Sequence, residues 1–177
     1  MELKRVEEYS IGADLKLAIR GLFDSCFPHY PANQIFMGQV PQFRQLLFHE
    51  NGQLMGHIAV DFRIVNNGGT PVSAFTLSDV CVHPDYRQQG FGTGLMEAVE
   101  SLAHAFDVEF LLLISADQDW YIHRGFSPVN ESMKWLVIRN AQSMGVISRR
   151  MHSALMVKAV GPRSWLPGLV DFLGPIF

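Results

Sequence analysis

The segment Val80-Cys81-Val82-His83-Pro84-Asp85-Tyr86-Arg87-Gln88-Gln89-Gly90-Phe91-Gly92-Thr93-Gly94-Leu95 constrains this chain more than any other. An apolar run of strand character meets a proline turn. A loop carrying Arg87 and punctuated by glycines follows, and then an amphipathic helix begins. With the apolar strand that follows the helix, this reads as a βαβ unit, and such a unit requires a parallel strand pair. The same order of parts builds an anion cradle. Glycines let backbone approach a ligand closely, successive N–H groups point inward, and the helix adds its positive dipole end. The segment therefore predicts a site for a phosphorylated ligand.

Spacing excludes the commonest nucleotide loops. The P-loop pattern needs Gly-Lys, which occurs nowhere in the chain. The dinucleotide fingerprint needs G-x-G-x-x-G, and Leu95 stands where its third glycine would be. What is present is Arg87-x-x-Gly90-x-Gly92, which resembles the [QR]-x-x-G-x-[GA] pyrophosphate loop of the GNAT superfamily, the acyl-CoA-dependent N-acyltransferases. Val82-His83-Pro84-Asp85-Tyr86 is similar to that family's approach to the loop. Farther on, Trp120-Tyr121-Ile122-His123-Arg124-Gly125-Phe126 resembles its aromatic-Tyr-x-x-x-Gly-Phe segment. The resemblance is specific over about residues 44–130 and weak on either side.

The resemblance implies an α/β fold: a mixed, mostly antiparallel sheet with helices on both faces. In it a parallel βαβ pair splays to hold the cofactor, acetyl-CoA. By this resemblance the pantetheine arm pairs with backbone of Val80, Cys81 and Val82. The pyrophosphate rests on the N–H groups of Gln88, Gln89, Gly90, Phe91, Gly92 and Thr93, and Arg87 either adds a charge or lies in solvent. The implied activity is acetyl transfer to a primary amine, of a small molecule ahead of a protein N-terminus, by direct transfer in a ternary complex.

That chemistry needs a neutral amine, donors for an oxyanion, and an acid for the departing thiolate. Tyr121 matches the family tyrosine beside the sulfur, and a phenol is protonated at neutral pH. Its other reading is a core aromatic with Trp120 and Phe126. By the same resemblance Asp79 is the candidate base, since several family members carry an acidic residue just before the pantetheine-pairing backbone. Strict alternation would put it on the face opposite Ser78, and a β-bulge would reverse that. A structurally paired Asp79 and a water-relayed proton path are the alternatives. Cys81, in a strand, reads as a buried thiol, not as an acyl carrier. The histidines make no H-x-H or H-E-x-x-H pattern, so no metal is expected. His57, His83 and His123 either line the site or, as is more common, serve as surface or supporting groups.

Composition sets the outer bounds. At 177 residues, 48% hydrophobic and 18% charged, the chain suits one globular domain spanning 1–177. Net charge is -3 and no basic cluster exceeds Arg149-Arg150, which argues against nucleic acid. Cys26 and Cys81 cannot make a disulfide framework, and the N-terminal residues carry no apolar signal region. No apolar run reaches the ~18 residues of a membrane span. The expected location is cytoplasmic.

Periodicity predicts strands at 2–8, 44–49, 54–65, 71–82, 109–115, 133–139 and 153–160 and helices at 13–27, 91–106 and about 118–124. Glu50-Asn51-Gly52-Gln53 is a hairpin signal. Within 54–65, Ile58, Val60, Phe62 and Ile64 should share one face and His57, Asp61 and Arg63 the other. Pro28 to Pro41 is aromatic-rich and suggests a short helix with loops. The tail from Trp165 to Phe177 is apolar enough to fold back on the core, or to serve as a dimer contact or a wall of the acceptor pocket. Two other functions fit the chain: a non-catalytic acyl-CoA-binding or sensing domain, and a transferase of longer acyl groups.

Overall fold

The computed structural model describes residues 1–36, 39–139, 141–151 and 154–177. Their ten strands form one mixed sheet, and the chain divides into two compact units. The first holds residues 1–61 and 78–102, the second 62–77 and 103–177. Two long strands, β3 (Leu54–Asn67) and β4 (Thr70–Val82), contribute to both.

In the first unit β1 (Glu2–Glu7) runs antiparallel to β2 (Phe43–Phe48), which runs antiparallel to β3. The turn between β2 and β3 closes as its Asn-Gly predicts. Gly52 sits at φ +87, and the His49 N–H reaches the Gln53 carbonyl at 2.8 Å. Helix α1 (Ala13–Cys26) buries Ile19, Leu22 and Phe23, an i, i+3, i+4 stripe. These pack with Ile11, Leu46, Leu54 and Cys81. Pro28 ends the helix by forcing Phe27 out of the helical region, to φ -131 and ψ 86. Helix α2 (Phe91–Ala105) buries Leu95, Met96 and Val99. Gly56 on β3 admits it closely: a Cβ there would lie 2.6 Å from the Leu95 Cδ1.

The second unit carries β5 (Phe110–Ser115), α3 (Gln118–Ile122), β6 (Ser127–Val129), β7 (Met133–Arg139), β8 (Gln142–Arg149), β9 (Ala154–Ala159) and β10 (Val170–Pro175). The strand order is β6-β9-β5-β4-β3-β10-β7-β8. The required parallel pair is β4 with β5, in register from Ala74↔Phe110 to Leu77↔Leu113. Val65, Val72, Phe110, Trp135, Val170 and Phe172 are among the residues of its core.

Several expectations need correction. The alternation on β3 holds only in part. His57, Ile58, Ala59 and Val60 are all buried, whereas Phe62 and Ile64 are about half exposed. The first half of the strand is covered on both faces, so His57 is a core residue and not part of an open polar face. Between Pro28 and Pro41 the described residues form turns and bends and no helix; Met37 and Gly38 lie outside them. In the last predicted strand, Ser153 is also outside the described residues. Strands β6, β8 and β10 were not predicted. Every residue of β8 is exposed, so it carries no burial pattern to read. The tail does fold back: Trp165 packs edge-on against Phe110 at 5.2 Å, and β10 enters the sheet between β3 and β7.

Candidate functional site

The cradle predicted from glycines takes shape at the end of β4. Pro84–Tyr86 make a single 3-10 turn, in which the Tyr86 and Arg87 N–H groups return to the His83 and Pro84 carbonyls. Gln88 then sits at φ +61 and Gly90 at φ +84, two left-handed residues directly before α2. Left-handed turn residues swing successive N–H groups into a concavity, and the first turn of a helix leaves donors without intrahelical acceptors. A Cβ at Gly90 would meet nothing within 4 Å, so the concavity is open on that side. Gln89, Phe91, Gly92 and Thr93 complete the loop and first turn. Arg87 turns back along the strand, and its Nε donates to the Val82 carbonyl at 3.0 Å.

One strand end therefore brings Asp79, Val80, Cys81 and Val82 together with the loop Arg87–Thr93. Asp79 stands at φ +50, a left-handed conformation three residues before the end of β4. That irregularity breaks the alternation that would have set Asp79 opposite Ser78. The Asp79 carboxylate accepts from the Tyr30 hydroxyl at 3.0 Å, and the Asp79 carbonyl lies 2.8 Å from the Nδ1 of His57. Burial raises the Asp79 carboxyl above its ordinary range, with Tyr30 and the charge of Arg44 opposing in part. Burial, then the neighbouring Asp79, raises Tyr30. His57 is pushed down to about 3 by burial and by the adjacent Arg44 guanidinium.

The thiols of Cys26 and Cys81 also meet here. Cys26, at the end of α1, points its sulfur to the Val82 carbonyl at 3.5 Å. A hydrogen bond from the Cys81 thiol, helped by Arg87, lowers Cys26 to about 7, while burial raises Cys81. Cys81 is buried, and Cys26 is partly exposed.

Beside Tyr30 opens a cleft of about 280 Å³ lined by Arg20, Asp24, Phe27, Pro28, Tyr30 and Asn33 among others. Arg20 is held by Asp24 and by the carbonyls of Pro31 and Gln34. In the second unit Tyr121 is buried on α3, edge-on to Trp120 at 4.8 Å and to Phe126 at 5.7 Å. The Arg124 guanidinium covers Trp120 at 3.6 Å.

Sequence reasoning missed Tyr30, Arg44 and Glu8 and treated His57 as a generic strand residue. Tyr30 lay in the segment noted only as aromatic-rich. Nothing in the spacing singles out Arg44, because an arginine in a strand usually marks its exposed face.

A sequence model of the acetyltransferase (GNAT) domain matches residues 13–129. The chain belongs to the GNAT acetyltransferase family. A search of curated protein sequences finds no match. Among solved structures, this GNAT chain is similar to a GNAT family N-acetyltransferase from Escherichia coli in complex with CoA. That pair shares 17% identity at a TM-score of 0.63, over 97% of this chain and 88% of that one. An aminoglycoside 6'-N-acetyltransferase complexed with coenzyme A is also similar, at 14% identity and TM-score 0.61, over 93% and 99% of the two chains. So is the ribosomal-protein-S18-alanine N-acetyltransferase from Escherichia coli, at 14% identity and TM-score 0.59, over 92% and 97%. At these identities the likeness is one of fold, and the acceptors of the last two differ in kind.

Proposed function

We propose that the protein transfers an acetyl group from acetyl-CoA to the primary amine of a small molecule, directly and in a ternary complex. The observation that carries this reading is the left-handed turn at Gln88 and Gly90, set on the helix end that follows the strand bearing the half-buried Asp79. The residues fit the cofactor: an open, donor-rich concavity suits a pyrophosphate, and the fold neighbours complexed with CoA support the assignment. Backbone N–H groups from Gln88 to Thr93 would hold the phosphates, and Val80, Cys81 and Val82 the pantetheine arm.

Asp79 takes a proton from the bound amine, either directly or through water. Its raised pKa places it closer to neutrality than an exposed carboxylate, where a base works best. As the amine nitrogen bonds to the acyl carbon, strand N–H groups at residues 80–82 stabilise the oxyanion. The carbon–sulfur bond then breaks, and Tyr121 donates its phenolic proton to the sulfur. The assignment of Tyr121 rests on its place in the Trp120–Phe126 segment. The cleft beside Tyr30 supports a small acceptor, because its volume of about 280 Å³ suits a compact amine. Of its lining groups, Asp24 is paired with Arg20, and the Tyr30 hydroxyl oxygen is the acceptor for a bound ammonium.

Thiol release with acetyl-CoA and a panel of primary amines tests the reading. The expected result is turnover on at least one small amine, with kcat lowered ~10²–10⁴-fold in Tyr121→Phe. Tight acetyl-CoA binding without thiol release on any small amine or peptide N-terminus would leave a non-catalytic acyl-CoA-binding domain.

A further inference from the structure

Arg44 is a fully buried arginine on β2. Its Nε and Nη2 donate to the two oxygens of Glu8, at 2.6 and 3.1 Å, and its Nη1 faces the Nε2 of His57 at 2.8 Å. Guanidinium nitrogens only donate, so Nε2 must accept. The ring proton then belongs on Nδ1, which lies 2.8 Å from the Asp79 carbonyl and donates to it. Phe23 holds the ring from the side, edge-on at 4.9 Å.

We propose that Glu8, Arg44 and His57 form a positioning chain that locks the Asp79 backbone in its left-handed conformation and so aims the carboxyl at Tyr30, which lines the cleft. This inference rests on the reading of Asp79 as the base. A left-handed residue with a Cβ is unfavourable on its own and persists only where its surroundings hold it. The Asp79 carbonyl accepts from the His57 ring, which ties this backbone to the chain of buried side chains. Glu8 balances the charge of Arg44, Arg44 fixes the tautomer of His57, and His57 pins the carbonyl of Asp79. His57 is thereby removed from proton transfer, because its lone pair is occupied. The groups facing the Asp79 carboxyl are the Tyr30 hydroxyl, the Arg44 charge and the Cys81 thiol, with Arg20 behind Tyr30.

The test has two arms on the full-length protein. Long-range ¹⁵N NMR of the His57 ring should show the Nδ1–H tautomer, with no protonation between about pH 8 and pH 5. An Nε2–H ring, or titration near the ordinary histidine value, overturns the chain. The second arm compares His57→Phe, which fills the space without donating, with His57→Asn, whose amide N–H stands near the Nδ1 position. His57→Phe should lower kcat about tenfold or more with KM for acetyl-CoA unchanged, while His57→Asn stays within about threefold of wild type. Carboxyl ¹³C NMR should show the Asp79 titration falling toward the ordinary range in His57→Phe and holding in His57→Asn. Equal losses in both variants, or an unmoved Asp79 titration in His57→Phe, overturn the proposal. A wild-type protein that acetylates no amine would sink the transfer reading instead, while ring tautomer and Asp79 titration would still decide the chain.

Discussion

At the scale of single residues, Asp79 combines a left-handed backbone with a carboxyl drawn out of water. Aspartate tolerates φ +50 better than most residues, so the position favours Asp, Asn or Gly. The raised pKa makes a prediction about stability. The folded state prefers the protonated form, so its advantage is full below the ordinary carboxylate range. That advantage is lost as pH rises through the elevated folded value. Asp79→Asn removes the charge and keeps both the shape and an oxygen for Tyr30. Its Tm relative to wild type should therefore rise as pH climbs from about 4 through the elevated folded value. A Tm difference that stays flat over that range would mean the carboxyl is fully solvated in the folded protein. Asp79 was legible as a candidate because the Val80–Leu95 motif placed it. Its left-handed backbone could not be read from alternation, and the contacts that hold it come from His57 and Tyr30.

Among elements, the tail strand β10 shows where local signals stop. Pro167, Gly168, Gly174 and Pro175 punctuate residues 165–177 so heavily that no strand period survives. The tail is fixed by partners far away in sequence. Asn67, fully buried at the end of β3, donates to the Leu166 carbonyl at 2.8 Å and accepts from its N–H at 2.7 Å. Gly68, at φ +58, lies so close to Pro167 that a Cβ would be 2.6 Å from its carbonyl oxygen. Asn67→Ala should lower the unfolding free energy by roughly 2–4 kcal/mol, since two backbone groups lose their partner in a buried site. Urea unfolding at unchanged m-value measures it. A loss below about 0.5 kcal/mol would mean that water replaces the side chain or that the tail is held by its apolar contacts alone. Apart from β6 and β8, which were also missed, the elements were read within a few residues of their ends, because α1, α2, β4 and β5 each bury one stripe or one apolar run.

For the whole molecule, binding and stability are linked. Acetyl-CoA that binds only the folded state at about 100 times its Kd should add about 2.7 kcal/mol and raise Tm accordingly. Gly90→Val should abolish that shift, since a β-branched residue resists φ +84 and the turn that gathers the N–H groups would reopen. The substitution itself should cost about 1–2 kcal/mol of stability. Full thermal stabilisation of Gly90→Val by acetyl-CoA would remove the cradle from the account. The amino-acid sequence alone determined the βαβ unit, the glycine-bearing loop and the place along the chain of most strands, because these depend on periodicity and on conformations only certain residues adopt. Family membership followed from two short motifs in the right order. Tertiary structure alone decided that Arg44 is buried, that His57 faces it, that Tyr30 reaches Asp79 and that the tail enters between β3 and β7. Each of these joins residues from 13 to more than 100 positions apart through burial and hydrogen bonding, and no local pattern encodes which distant partner will satisfy a buried polar group.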